Sequence, residues 1–493
     1  MSGESSAAAP GYARDAALAA VARIAPLAVQ LIATPFVIAS AGVPAYAVWA
    51  LIMTTINLML TADLGVVGIM QRYHGIARGR GEPAMGARIT ATVLAVLVVL
   101  LVVVTAIGPW IADLALAVVQ IAPDTRDEAW AFFRNVGTLA VLQLIGLALG
   151  SYLAAHSRFV AAAVISLGAR LVSAIAIAVA LATSSGLDGL LVAAYLDAGI
   201  ALFLGVVFCW RHLATEVRRL VRRDELGELW SYAWRNQASA VGFVAQRESD
   251  VVMAAILLPA TLQATVAASA QLAAAVALAP TVLLVPLFTR LSTLAGTSQA
   301  AAVDESRRAE TTWFSLVLPF AAVMLATGPF IAAAWLDPAL PEVTGVTALL
   351  ILGFLLVLAN SVRAMLVRAL GRPGLETMSY VSLLVVKLAI GIPATILFGI
   401  YGLVASTVVA SLAAVVMLWW ISERSVDGLK PGTVRWRSAL AAAVILAVGV
   451  PSALLIAGEV DDRWIRLLLL VGVAAVLGLL AGFAAVRDRL HLR

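Results

Sequence analysis

The chain has 493 residues, 62% hydrophobic and only 12% charged, with a mean hydropathy of +1.01. Such values exclude a water-soluble globule. The formal charge of +5 arises from arginines beside predicted membrane ends, which excludes a nucleic-acid-binding array and hence DNA or RNA as a partner.

About twenty apolar residues, rising about 1.5 Å each, cross a hydrocarbon core roughly 30 Å thick. Fourteen runs of that kind predict an all-α polytopic membrane protein with both termini cytoplasmic. A cytoplasmic tail, 1–14, comes first; it is small and polar and lacks the pattern of a signal peptide, so the first span is expected to stay in the mature protein. Spans at 15–40, 43–70, 85–108, 130–154, 159–182 and 187–210 form an N-terminal six-helix bundle, 15–210. The inner connection 211–236 sets basic residues beside Leu213, Val217, Leu220, Trp230 and Trp234 and reads as an amphipathic linker on the membrane surface. A C-terminal six-helix bundle, 237–421, holds spans at 237–258, 260–289, 312–335, 344–370, 376–398 and 400–421. After a cytoplasmic loop, 422–436, two extra spans occupy 437–457 and 464–486 within the segment 437–486, and a cytoplasmic tail, 487–493, closes the chain. With this topology 24 Lys and Arg lie in inner loops and span ends, four lie outside and five lie within spans, as the positive-inside rule requires.

The two six-span halves echo each other. Gly186-Leu187-Asp188-Gly189 opens the sixth span and Gly399-Ile400-Tyr401-Gly402 the twelfth, 213 positions later, and the same offset puts Arg211 on Arg424. The fifth and eleventh spans carry central cations, Arg170 and Lys387. Six is even, so the pseudo-symmetric halves are parallel repeats, and a site is expected between them near mid-depth.

Ionisable groups at mid-membrane are the candidate machinery. Each costs roughly 2.5 to 3.5 kcal/mol at a helix centre, so five demand compensation on the order of 10 kcal/mol. In span 1, Arg23, Gln30 and Thr34 share one stripe; in span 7, Arg247 and Asp250 share a face while Glu248 points about 100° away. One reading makes these groups helix glue, Arg247 neutralised by Asp250, and Lys387 by Glu248 or Asp197. The other notes that Arg23, Arg170, Arg247 and Lys387 outnumber Glu248, Asp250 and Asp197, and that surplus positive charge invites an anion. On that reading Arg23, Gln30, Arg170, Arg247 and Lys387 bind substrate, while Glu248, Asp250 and Asp197 balance charge or couple to an ion. Asp63, Gly65 and Arg72, at the inner end of span 2, take gating or structural roles, and Arg363 and Arg368 are expected to snorkel to lipid phosphates.

Some chemistry is missing. No G-x-x-x-x-G-K-[ST] run cradles a nucleotide, and Cys209, the single cysteine, can form neither an intrachain disulfide nor a cysteine-cluster metal site. His74, His156, His212 and His491 are scattered without ligand spacing, so no cofactor is expected. The longest outer loop, 109–129, carries Asp113, Asp124, Asp127 and Glu128 but is too short for a catalytic lobe, which disfavours an enzyme such as a membrane glycosyltransferase.

The stretch 45–79, with Tyr46 and Trp49, Asp63-Leu64-Gly65 and Arg72-Tyr73, resembles the polysaccharide transporter family of the multidrug/oligosaccharidyl-lipid/polysaccharide (MOP) superfamily, the O-antigen flippase type. Arg23, Asp250, Pro286 with Arg290-Leu291, and Gly399-x-x-Gly402 extend the resemblance over spans 1 to 12. It implies a V-shaped pair of bundles in a bacterial plasma membrane that alternates between inward- and outward-open forms. The implied cargo is a polyprenyl-diphosphate-linked oligosaccharide, received in a cationic central cavity and moved to the outer leaflet. Membrane lipids, H⁺ or Na⁺ as coupling ion, and a polysaccharide polymerase with glycosyltransferases are the implied partners. Lys387 and the crowded Arg247-Glu248-x-Asp250 depart from the family pattern. Lipid II flippases and multidrug-type antiporters are the alternatives; the latter branch usually has twelve spans and acidic, aromatic-lined pockets.

Overall fold

The computed structural model describes residues 29–61, 70, 74, 77, 83–156, 158–216, 242, 244–281, 284–336 and 340–490. Helices dominate, no strand occurs among the described residues, and every predicted span meets a helix over its described part. The chain divides into two compact units, Met1–Val241 and Gly242–Arg493.

The first unit contains α1 (Val29–Ala41), α2 (Val43–Thr61), α3 (Pro83–Val118), α4 (Arg126–Ala155), α5 (Phe159–Ala182) and α6 (Gly186–Glu216). Helix α4 is the axle of this unit. Its Leu144, Leu149, Tyr152 and Leu153 are enclosed by Leu97 of α3, Ile165 of α5 and Cys209 of α6. Helices α3, α5 and α6 turn Val99, Val102, Leu171, Ile175 and Phe203 outward, a composition that only hydrocarbon can cover in a membrane protein. Arg23, Asp63, Gly65, Arg72 and most of the expected linker lie outside the described residues; 211–216 continue α6 as helix.

The second unit contains α7 (244–257), α8 (Ala260–Thr281), α9 (Val285–Thr297), α10 (Gln299–Trp335), α11 (Val343–Leu358), α12 (Ser361–Ala369), α13 (Gly374–Ser425), α14 (Trp436–Glu459) and α15 (Arg463–Leu490). Here α10 is the axle. Its Ala322 and Val323 pack with Ala442 and Ile445 of α14 and Leu477 and Ala481 of α15, and its Ala334 meets Ala453 and Leu470. The two extra spans are thus fastened to span 9, and their far faces, with Leu440, Leu455, Leu468 and Leu479, remain exposed.

Several boundaries moved. The expected spans at 260–289 and 344–370 are each two helices, α8 with α9 and α11 with α12, while α10 begins at Gln299 rather than 312. Apolarity marks what can sit in lipid, and a helix runs on past the interface wherever its backbone hydrogen bonds continue. Spans 11 and 12 form one 52-residue helix, broken at Gly399 (φ 61°, ψ −140°).

The break explains the repeated glycine motif. Gly399 and Gly186 both adopt positive φ, at 61° and 57°, which a side chain would strain. Three residues on, a Cβ at Gly189 would lie 2.7 Å from Ala180 Cβ, and one at Gly402 would collide with the Ala394 carbonyl oxygen. Each half therefore uses one glycine to reverse direction and the next to press the two spans together.

Candidate functional site

Two charged nodes lie at span centres, one in each unit. In the first, Arg170 of α5 reaches Asp197 of α6 at 2.9 Å, and Gln143 Nε2 of α4 donates to the same oxygen, Asp197 Oδ2, at 3.2 Å. Asp197 Oδ1 is buried without a hydrogen-bond partner among the described residues. The Arg170 side chain is 34% exposed, so the pair is only partly enclosed. Two residues before Asp197, Tyr195 of α6 donates to Asn135 Oδ1 of α4 at 2.6 Å.

The node in the second unit is closed. Lys387 Nζ of α13 contacts Asp250 Oδ2 of α7 at 2.6 Å, and both side chains are fully buried. Thr407 Oγ1, from the other half of α13, donates to Asp250 Oδ1 at 2.5 Å. Each carboxylate oxygen has a close neighbour, and Lys387, expected to bind substrate, is fully enclosed in this pair. One helical turn earlier along α7, the Arg247 guanidinium pairs with neighbouring Glu248, its Nε at 2.8 Å from Oε1, and stays 32% exposed.

The pairing differs from both sequence expectations. Arg247 binds Glu248 rather than Asp250, and Lys387 binds Asp250 rather than Glu248 or Asp197. The reason is burial: a fully enclosed ammonium must be matched by an equally enclosed acid, and Asp250 is the one α7 presents to α13. Arg247, half open, can fold its long side chain back on its neighbour. Among the described residues the three central cations therefore meet three acids one to one, and the counted positive surplus rests on Arg23. Gln30 is half-buried on α1, and its carbonyl accepts the Thr34 hydroxyl at 2.9 Å.

Arg363 is a correction. It does not snorkel: it is 0% exposed, bonded to Glu310 at 2.8 Å and Glu423 at 2.9 Å, with its guanidinium 4.1 Å from the Trp419 ring centroid. Glu310 Oε2 also accepts from Gly432 N at 2.6 Å, so the node ties α10, α12, the end of α13 and the loop to α14. Arg368, half-exposed, is held by both oxygens of Glu376 rather than left for phosphate. Glu310 escaped sequence reading because it lies in what looked like a loop before span 9; only the early start of α10 brings it inward. The histidines are likewise less scattered than their numbers indicate. His74 and His156 meet edge to face at 5.2 Å, both against Tyr152, and His74 Nε2 sits 2.8 Å from Thr90 Oγ1. Thr90 Oγ1 also lies within hydrogen-bond distance of the Gly86 carbonyl oxygen, at 3.2 Å. Among the described residues no three His, Cys, Asp or Glu converge as metal ligands would.

No protein-family model and no curated protein matches this sequence. Solved structures do match it. A lipid II flippase, MurJ, in an inward closed conformation aligns with a TM-score of 0.68 at 12% identity, over 96% of this chain and 99% of that one. An inward-facing multidrug resistance MATE family transporter of the MOP superfamily aligns at 0.62 and 12% identity, over 86% of this chain and 96% of that one. The MATE multidrug transporter DinF-BH aligns at 0.55 and 15% identity, over 86% of this chain and 98% of that one. Helix order, the two units and the extent of these alignments together make this a multi-pass membrane protein with the fold of MOP-superfamily transporters.

Proposed function

We propose that the protein is a flippase that carries a polyprenyl-diphosphate-linked oligosaccharide from the inner to the outer leaflet of a bacterial plasma membrane by alternating access. The observation that carries the proposal is the extent of the match. The flippase alignment runs over 96% of the chain and so takes in α14 and α15, whereas the multidrug transporters reach 86%. The extra spans fastened to α10 support a substrate class that needs more lipid-facing surface than a small drug does. Lipid II, another polyprenyl-diphosphate glycan, falls within the same class.

Arg170 and Arg247, with a third of each side chain open, are the groups we assign to the substrate diphosphate, together with Arg23 and Gln30 of span 1. Guanidinium forks suit phosphate oxygens because two parallel donors match two acceptors. Asp197 and Glu248 hold the two arginines in place when no phosphate is bound. Asp250 and Lys387 form the coupling element, an enclosed pair that an arriving H⁺ or Na⁺ would have to open. Asp63, Gly65 and Arg72 are assigned gating or structural roles. No catalytic step is required. A polymerase and glycosyltransferases would act before and after the transfer.

The test uses the full chain in proteoliposomes holding a fluorescent polyprenyl-diphosphate oligosaccharide, with an impermeant quencher reporting its transfer between leaflets. Arg170→Gln and Arg247→Gln are expected to slow transfer about 10- to 100-fold, as loss of a charge-assisted contact of roughly 1.5 to 3 kcal/mol requires. Wild-type rates in both variants would refute the assignment. Resistance to cationic drugs on expression, without lipid transfer, would favour the multidrug reading.

A further inference from the structure

The two halves differ at one corner, and the difference leaves a cavity. In the first unit Glu128, in the first turn of α4, swings across to the start of α6, where its Oε2 accepts from Leu187 N at 2.9 Å. That bond closes the corner between spans 4 and 6 at the end assigned to the outer face. The 213-residue offset that sets Gly186 on Gly399 puts Glu128 one position before Glu342, at the start of span 10, and Asp188 on Tyr401. The repeat thus supplies a carboxylate at the same corner of the second unit.

Glu342 does something else there. Its backbone is left-handed (φ 60°, ψ 16°), it is the N-cap of α11 without a side-chain capping bond, and its carboxylate makes no hydrogen bond or ion pair among the described residues. Glycine would occupy such a conformation without strain, and a carboxylate held there costs about 1 kcal/mol or more. In place of the closed corner lies a cavity of about 310 Å³, walled by Ala333, Leu340 and Val343 and offering Glu342, Thr344 and Tyr401. Tyr401 is 44% exposed, and its hydroxyl end rests against Gly345, where a Cβ would come within 2.6 Å of it. Like Glu342, its side chain has no polar partner among the described residues.

We infer that this corner is a sugar-binding subsite on the outer face of the second unit. The inference rests on the flippase reading, since it gives the outer end of the transport path a contact for the glycan. The chemistry is that of a carbohydrate site. A carboxylate accepts from adjacent sugar hydroxyls, a threonine hydroxyl both gives and accepts, and an exposed phenol ring offers an apolar face to the C–H side of a pyranose. An organic cation would ask for several aromatic faces around it, and among the described lining residues Tyr401 alone is aromatic. The volume lies at the low end for small-molecule sites, enough for a sugar unit or two and not for a whole oligosaccharide.

A direct test needs no transport. Ala333→Cys places a reporter thiol in the cavity wall; the native Cys209 is buried. Full-length protein in nanodiscs is labelled with an impermeant maleimide in the presence of lactose or N,N′-diacetylchitobiose. At a sugar concentration about twice the dissociation constant, labelling should slow roughly threefold. Adding Glu342→Gln or Tyr401→Leu should abolish the slowing, while an unchanged labelling rate without sugar and continued protection of the buried Cys209 show that the variants are folded. No protection by either sugar, equal protection in the variants, or protection by tetraphenylphosphonium alone would each overturn the inference. Lipid transfer without sugar protection sinks the subsite only. Sugar protection without lipid transfer sinks the flippase reading and leaves the subsite standing.

Discussion

Replacing Asp250 with Asn is the sharpest probe of the enclosed pair. Lys387 and Asp250 are both 0% exposed at 2.6 Å, so neither can turn to water when the other is neutralised. Breaking such a pair from one side costs about 3 to 5 kcal/mol, because a desolvated charge is left without compensation. Asp250→Asn keeps the shape and an acceptor for Thr407, which isolates the electrostatic effect. Lys387→Met should cost a similar amount by stranding the carboxylate. The double variant removes both charges and should lose far less than the sum, with a coupling of about 3 kcal/mol in a double-mutant cycle. Equilibrium unfolding in mixed detergent micelles, read by far-ultraviolet circular dichroism, measures all four corners. Arg290→Gln, at the exposed pair with Glu305, is the control, expected to cost about 1 kcal/mol or less because solvent screens it. Strictly additive effects of Asp250→Asn and Lys387→Met would refute the reasoning, since they would mean that the two groups do not compensate each other.

Three further outcomes are expected from the same measurement. Thr407→Val strands Asp250 Oδ1 and should cost about 1 to 3 kcal/mol, whereas Thr407→Ser should be close to neutral. Arg363→Met leaves Glu310 unpaired at a buried node and should cost about 3 to 5 kcal/mol, with Glu310→Gln partly restoring stability in the double variant. Gly399→Ala, at a positive φ, should cost about 1 to 3 kcal/mol, while Gly374→Ala, where a Cβ meets nothing within 4 Å, should change stability little.

Much of the fold was legible in advance because the bilayer leaves few choices: a segment that crosses it must be apolar and must satisfy its backbone internally. Gly186-x-x-Gly189 and Gly399-x-x-Gly402 revealed the repeat for the same kind of reason, since a tight reversal between spans tolerates little else. The candidate site was legible only as a set of residue types. Helical periodicity correctly separated Glu248 from Asp250, yet it pointed Arg247 toward the wrong acid, because periodicity describes one helix and the competition for Asp250 comes from another. Arg363 was misread in the opposite sense. A cation near a span end has lipid phosphate within reach, and nothing local announces that Glu310 and Glu423 will enclose it.

By itself the sequence determined that the chain is a helical protein of many apolar, membrane-crossing segments, eleven of them long enough among the described residues, because hydrocarbon thickness and backbone satisfaction act segment by segment. Which acid meets which cation, which arginine stays open, and that one corner is sealed by Glu128 while its counterpart is left hollow were decided only by the tertiary structure. Asp250 and its partner Thr407 stand 157 positions apart, and pairing over such distances follows from how helices pack rather than from any local pattern.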